Sequence, residues 1–153
     1  MKLAEGLILR NDMMRKVASL KERISQNVIV QEGDTPDENP ESLIKEALSV
    51  LRGLEKMICR INRTNMRCTL QNGRTMMEAL ARRDCLINQH AVLTGAIESA
   101  HEGRPDRYGR QEIKWVKVVE VAALQERVDT LTEQIRKLNA AIQEANWMTE
   151  LEE

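Results

Sequence analysis

Residues 121–147 read VAALQERVDTLTEQIRKLNAAIQEANW, and this stretch decides the fold class. Val121, Leu124, Val128, Leu131, Ile135, Leu138, Ile142 and Ala145 follow one another at alternating spacings of 3 and 4. Such a stripe predicts a long helix with an apolar seam buried against other helices. Leu131 and Ile135 sit in its middle and are expected to hold much of the stability. Three more stripes lie upstream. Met13, Val17, Leu20 and Ile24 mark a first helix over about 2–29. Ala47, Leu51, Leu54, Ile58 and Ile61 mark a second, which fades near Asn65. Leu86, His90, Leu93, Ile97 and Ala100 mark a third.

Punctuation agrees with the stripes. Asn39 followed by Pro40 is an N-cap with proline at the favoured first helical position. Asn72-Gly73 favours a tight reversal. Thr75-Met76-Met77-Glu78 has the form of a capping box: the Thr hydroxyl accepts from the amide three residues on, and the Glu reaches back. Gly103 and Pro105 end the third helix. Residues 111–119, rich in β-branched side chains, read as extended. The prediction is an all-α fold: one domain over 1–153, an antiparallel four-helix bundle of coiled-coil-like hairpins with one or two short extended segments.

Composition excludes several function classes. The chain has 153 residues, 42% apolar and 31% charged, with a net charge of −1. Near-neutral charge argues against nucleic acid as a partner. Phe is absent, and only Trp115, Trp147 and Tyr108 are aromatic, too few for a base-stacking surface. No run reaches the ~20 apolar residues of a membrane-spanning helix. Cys59, Cys68 and Cys85 are odd in number and lack a CxxC spacing, which reads as reduced thiols in a cytoplasmic protein. No phosphate loop, GxSxG, HExxH or EF-hand loop occurs, so no enzyme and no cofactor are expected. His90 and His101 stand ~16 Å apart along one helix and cannot share an ion, so no metal is expected either.

The charges that remain suggest a site. Arg60, Arg63, Arg67, Arg74, Arg82 and Arg83 gather around the turn between the second and third helices, with no lysine among them. Arginine suits bidentate contact with carboxylate or phosphate. Two readings follow: a small anionic ligand or nucleotide, or pairing with the chain's own acidic tail of Glu150, Glu152 and Glu153 or with another subunit. Extending the second and third stripes brings Asn62, Asn65 and Arg83 together as a polar layer. Asp84, Glu78, the acidic tail or a neighbouring subunit would then supply the carboxylate that a buried guanidinium requires. A second basic segment holds Arg104, Arg107, Tyr108, Arg110, Lys114, Trp115 and Lys117. It would meet the acidic stretch of Glu32, Asp34, Asp37, Glu38 and Glu41 at the opposite end of a bundle.

Several stretches together resemble a family of small bacterial proteins that carry the name septicolysin. They are Lys2-Leu3-Ala4-Glu5 with Leu7-Ile8-Leu9-Arg10, Val30-Gln31-Glu32-Gly33-Asp34-Thr35-Pro36 and Ile61-Asn62-Arg63-Thr64-Asn65. Ala79-Leu80-Ala81-Arg82-Arg83-Asp84, Asp106-Arg107-Tyr108, Glu112-Ile113-Lys114-Trp115-Val116, Asn146-Trp147 and Thr149-Glu150-Leu151 continue the match across the whole chain. The resemblance implies a helical fold and, through the name, a membrane-active cytolysin. The residues themselves fit that activity poorly. In the one extended candidate, 111–119, Lys114 and Lys117 fall on opposite faces, unlike a pore strand. No membrane partner is therefore expected. A non-enzymatic, self-associating helical interaction or scaffold protein, present as a homo-oligomer, is the reading the residues favour.

Overall fold

The computed structural model describes residues 1–102 and 115–153. Four helices follow one another: α1 (Leu3–Asn27), α2 (Pro40–Arg67), α3 (Met76–Glu102) and α4 (Val121–Met148). The fold is all-α. Among the described residues there is no strand; isolated bridges occur, one of them antiparallel between Lys2 and Glu150. Residues 115–119 carry no regular structure, and the rest of the segment expected to be extended, 111–114, lies outside the described residues.

The helix ends form as local chemistry requires. Glu5 accepts from the Lys2 amide at 2.6 Å and closes the start of α1. The Asn39 side chain accepts from the Ser42 amide at 3.0 Å, with Pro40 in the first turn of α2. Before α3, Glu78 accepts from the Thr75 amide at 2.8 Å and its own amide donates to the Thr75 hydroxyl at 3.2 Å, completing the capping box. The reversal between α2 and α3 closes by Leu70 N–H to Arg74 O, 2.8 Å, and Gly73 N–H to Leu70 O, 2.9 Å. Gly73 takes φ of +79°, a conformation that glycine adopts without a Cβ penalty.

Contacts divide the chain into two compact units, residues 1–69 with 143–153, and residues 70–142. In the first, α1 and α2 pack along one another. A Cβ on Gly6 would meet Met57 Sδ at 3.6 Å, and one on Gly53 would meet Met13 Cε at 3.4 Å. Early α1 therefore faces late α2, which makes the pair antiparallel. At the other end Leu20 packs with Leu43 and Ala47, flanked by Ile24 and Val50. The α1 seam runs Leu3, Gly6, Arg10, Met13, Val17, Leu20, Ile24 and Asn27, all buried or half-buried. Arg10 interrupts it, and its Nε is buried with no hydrogen-bond partner.

The α2 seam corrects the sequence reading. It runs Leu43, Ala47, Val50, Leu54, Met57, Ile61 and Thr64, again alternating 4 and 3. Leu51 and Ile58, expected on the seam, are exposed. So much of α2 is apolar that two overlapping 4-3 registers fit it. The stripe read from sequence crossed from one register to the other.

In the second unit, Met76, Ala79, Arg83, Leu86, His90, Leu93, Ile97 and Ala100 form the α3 seam at unbroken 3-4 spacing, all buried or half-buried. On α4, Val121, Leu124, Val128, Leu131, Ile135, Leu138 and Ile142 are the residues withdrawn from solvent on the 3-4 stripe. Val128 and Ile142 are buried and the others half-buried, so the cost of truncation is graded. Ile142→Ala should lose about 2–5 kcal/mol of unfolding free energy in denaturant titrations. Leu131→Ala and Ile135→Ala should fall at or below the lower end of that range. Equal losses at all three sites would contradict the graded burial.

Candidate functional site

The arginines on the last turns of α2 point at the end of the chain. Arg60, Arg63 and Arg67 recur at 3 and 4 residues and so share one helix face. Arg60 Nε donates to the Glu152 carbonyl at 2.7 Å, and Arg63 Nη1 to the Glu153 carbonyl at 3.2 Å. Arg67 Nη1 meets the Glu152 carboxylate at 2.9 Å. Between them Thr64 is 2% exposed. Its hydroxyl donates to the Arg60 carbonyl at 2.9 Å and accepts from the Glu152 amide at 3.0 Å.

Residues 149–151 also run alongside the first residues of the chain. Leu3 N–H donates to Thr149 O at 2.9 Å and Leu151 N–H to Met1 O at 2.8 Å. The Leu151 side chain is buried over Gly6, where a Cβ would come within 2.9 Å of Leu151 Cδ2. Cys68 Sγ lies 3.1 Å from the Thr149 hydroxyl. Lys2 Nζ sits 2.7 Å from the Glu150 carboxylate, and the Met1 amino nitrogen 3.1 Å from it. The Lys2 hydrogen bond, helped by that amino group, holds the Glu150 carboxyl below the usual carboxylate range. Cys59 and Cys85 are exposed, Cys68 is half-buried, and all three are free thiols.

The proposed polar layer divides between the two units. Asn62 is exposed and Asn65 half-buried, both in the first. Asn62 does not follow the seam inward, because the seam continues through Ile61 and Thr64. Arg83 is in the second unit, at a half-buried seam position of α3. Its Nε and Nη2 donate to Asp84 Oδ1 at 3.1 and 2.9 Å, so a neighbouring carboxylate of the same helix supplies its counter-charge. Arg82, Asp84 and Cys85 line a cavity of about 1040 Å³ together with Glu126, Arg127 and Leu131 of α4. Its lining includes charges of both signs and the apolar side chains of Leu93 and Leu131.

Of the second basic segment, Arg104, Arg107, Tyr108, Arg110 and Lys114 lie outside the described residues. Trp115 is exposed and lines a cavity of about 660 Å³ with His101 and Glu102 at the end of α3. From the acidic loop, Glu38 pairs with Arg23 of α1, whose Nε is 2.8 Å from Oε2. That hydrogen bond holds the Glu38 carboxyl below the usual range. His90 is half-buried, with the Thr94 hydroxyl 3.4 Å from Nδ1. Among the described residues, no group of three or more His, Cys, Asp or Glu side chains could hold a metal ion. Nor is any described helix long and apolar enough to cross a membrane.

A family model for a family of unknown function, DUF6847, matches residues 10–151. The chain belongs to that family. Its fold is also similar to the crystal structure of a functionally unknown conserved protein from Corynebacterium diphtheriae. The two share 33% sequence identity and a TM-score of 0.91 over 99% of each chain. No curated protein is similar enough to count as a match.

Thr64 and Leu151 lie in stretches that carry the family resemblance, but nothing in the sequence assigns either one a partner, because their contacts join residues far apart in the chain. Gly6 carried the usable signal: a glycine at a seam position, three residues after Leu3, marks a close approach. Thr64→Val keeps the side-chain shape and removes both the buried hydroxyl and the acceptor for a part-buried amide. It should cost about 1–3 kcal/mol in denaturant titrations. A second expectation concerns pH. A carboxyl with a depressed folded pKa binds its proton less readily in the folded state. Its contribution is full above its ordinary value of 4.5 and is lost as pH falls through the lower folded value. Glu150→Gln should therefore reduce the acid-side loss of stability below about pH 4.5 in pH-dependent melts. An unchanged acid-side slope would mean that the Lys2–Glu150 pair is not formed in solution.

Proposed function

We propose that this protein is a non-enzymatic, self-associating helical interaction protein. The observation that carries the reading is a second apolar ridge on α2. Ile44, Leu48, Leu51 and Ile58 recur at 4, 3 and 7 residues along one face and are 39–51% exposed. The seam against α1 already uses a different face of the helix. An apolar ridge at helical spacing is the surface on which another helix packs, and a homo-oligomer is the commonest way for a protein to cover it. The arginines best suited to an anion also favour this reading over a ligand site, since Arg60, Arg63 and Arg67 are engaged by residues 152–153.

The anion-binding alternative rests on the cavity of about 1040 Å³ between α3 and α4, with Arg82 and Arg127 in its lining. That volume is of the order that small-molecule sites have, up to ~1,000 Å³. Thermal-shift titration with orthophosphate, a nucleoside triphosphate and a dicarboxylate separates the two, because a ligand of the native state must raise its melting temperature. Light scattering tests the principal reading directly. The purified chain should give at least twice the 17.5 kDa monomer mass at micromolar concentration. A monomeric mass across that range rules it out.

A further inference from the structure

We infer that the outer ridge of α2 pairs with the same ridge of a second copy, antiparallel and centred near Gly53. The inference rests on self-association and names its surface. Ile44, Leu48, Leu51, Glu55, Ile58 and Asn62 share one face of α2, about 100° around the helix from its seam. The ridge is apolar except for Glu55 near its centre and Asn62 at its end. That carboxylate decides what can cover it.

Glu55 is exposed and joins no ion pair among the described residues, and the same holds for Arg52 beside the ridge. A lipid surface would bury Glu55 without a partner, which is costly. A parallel copy would set Glu55 against Glu55. In an antiparallel pair centred near Gly53, Leu48 of each copy faces Ile58 of the other, and Leu51 faces Glu55. Helix geometry then brings each Glu55 to within about 2 Å, along the axis, of Arg52 of the second copy. Along the axis the order is Glu55, Arg52, Arg52, Glu55, so the two arginines lie at the centre, each beside a carboxylate of the other copy, and the four charges sum to zero. At the outer ends, Glu41 of one copy lies toward Arg63 of the other. The pattern is self-complementary, as a two-fold interface requires.

Charge reversal tests this without touching the seam. The full-length wild type, Glu55→Arg, Arg52→Glu and the double reversal would be compared by sedimentation velocity over a concentration series. Circular dichroism melts would verify that each folds. Either single reversal sets like charges together and should weaken association roughly tenfold or more, whereas the double reversal restores the pair and should recover wild-type association. If the wild type associates and the single reversals leave its mass distribution unchanged, this surface is wrong while self-association stands. The same holds if both singles weaken association and the double fails to recover it. A monomeric wild type overturns both. If that monomer floats with phosphatidylglycerol vesicles, the ridge belongs to a lipid surface instead.

Discussion

Each helix can bury one narrow ridge, and the rest of the structure depends on that constraint. Phe is absent and only three residues are aromatic, so no large ring fills the interior. Aliphatic side chains at 3-4 spacing must interdigitate along the whole length of the helices. The α1–α2 pair illustrates this. Leu20 packs with Leu43 and Ala47 at one end, and Gly6 approaches Met57 at the other. Small residues, Gly6 and Gly53, sit where the methionines of the facing helix need room. A seam of this kind spreads stability over many partly buried contacts, which is why most α4 seam residues are half-buried rather than sealed.

Seams align helices but leave their ends loose, and residues 149–153 close the end where α1 begins and α2 finishes. The closure mixes three kinds of force. Backbone hydrogen bonds join residues 1–3 to 149–151. Leu151 supplies apolar burial over a glycine. Arg60 and Arg67 supply charge-assisted hydrogen bonds to Glu152. Arginine is suited to this face because its donors reach both a carbonyl and a carboxylate from one helix. Arg10, by contrast, sits on the α1 seam with its Nε unpaired, a departure from the aliphatic pattern that the structure leaves without a hydrogen-bond rationale.

What remains on the surface is as informative as what is buried. The outer ridge of α2 repeats the seam's spacing but lies outside the α1–α2 contact. Isolated exposed apolar residues are ordinary, whereas a row at helical spacing is a packing surface. In the pairing proposed above, the single carboxylate within it sets the orientation and the partner.

The sequence by itself determined the four helices, the N-terminal capping of α2 and α3 and the turn at Asn72-Gly73. It also determined the seams of α3 and α4 and the Met13–Ile24 portion of the α1 seam. Those features depend on residues within a few positions of each other, where hydrogen-bonding reach and the 3.6-residue period suffice. Tertiary structure decided the α2 face, because both of its ridges satisfy the same period and only the position of α1 distinguishes them. It decided that Asn62 faces solvent and that Arg83 takes its counter-charge from Asp84. The meeting of Thr64 with Glu152 joins residues 88 apart. No local rule reaches that far: such a contact exists only once every intervening helix has its length and the chain has returned.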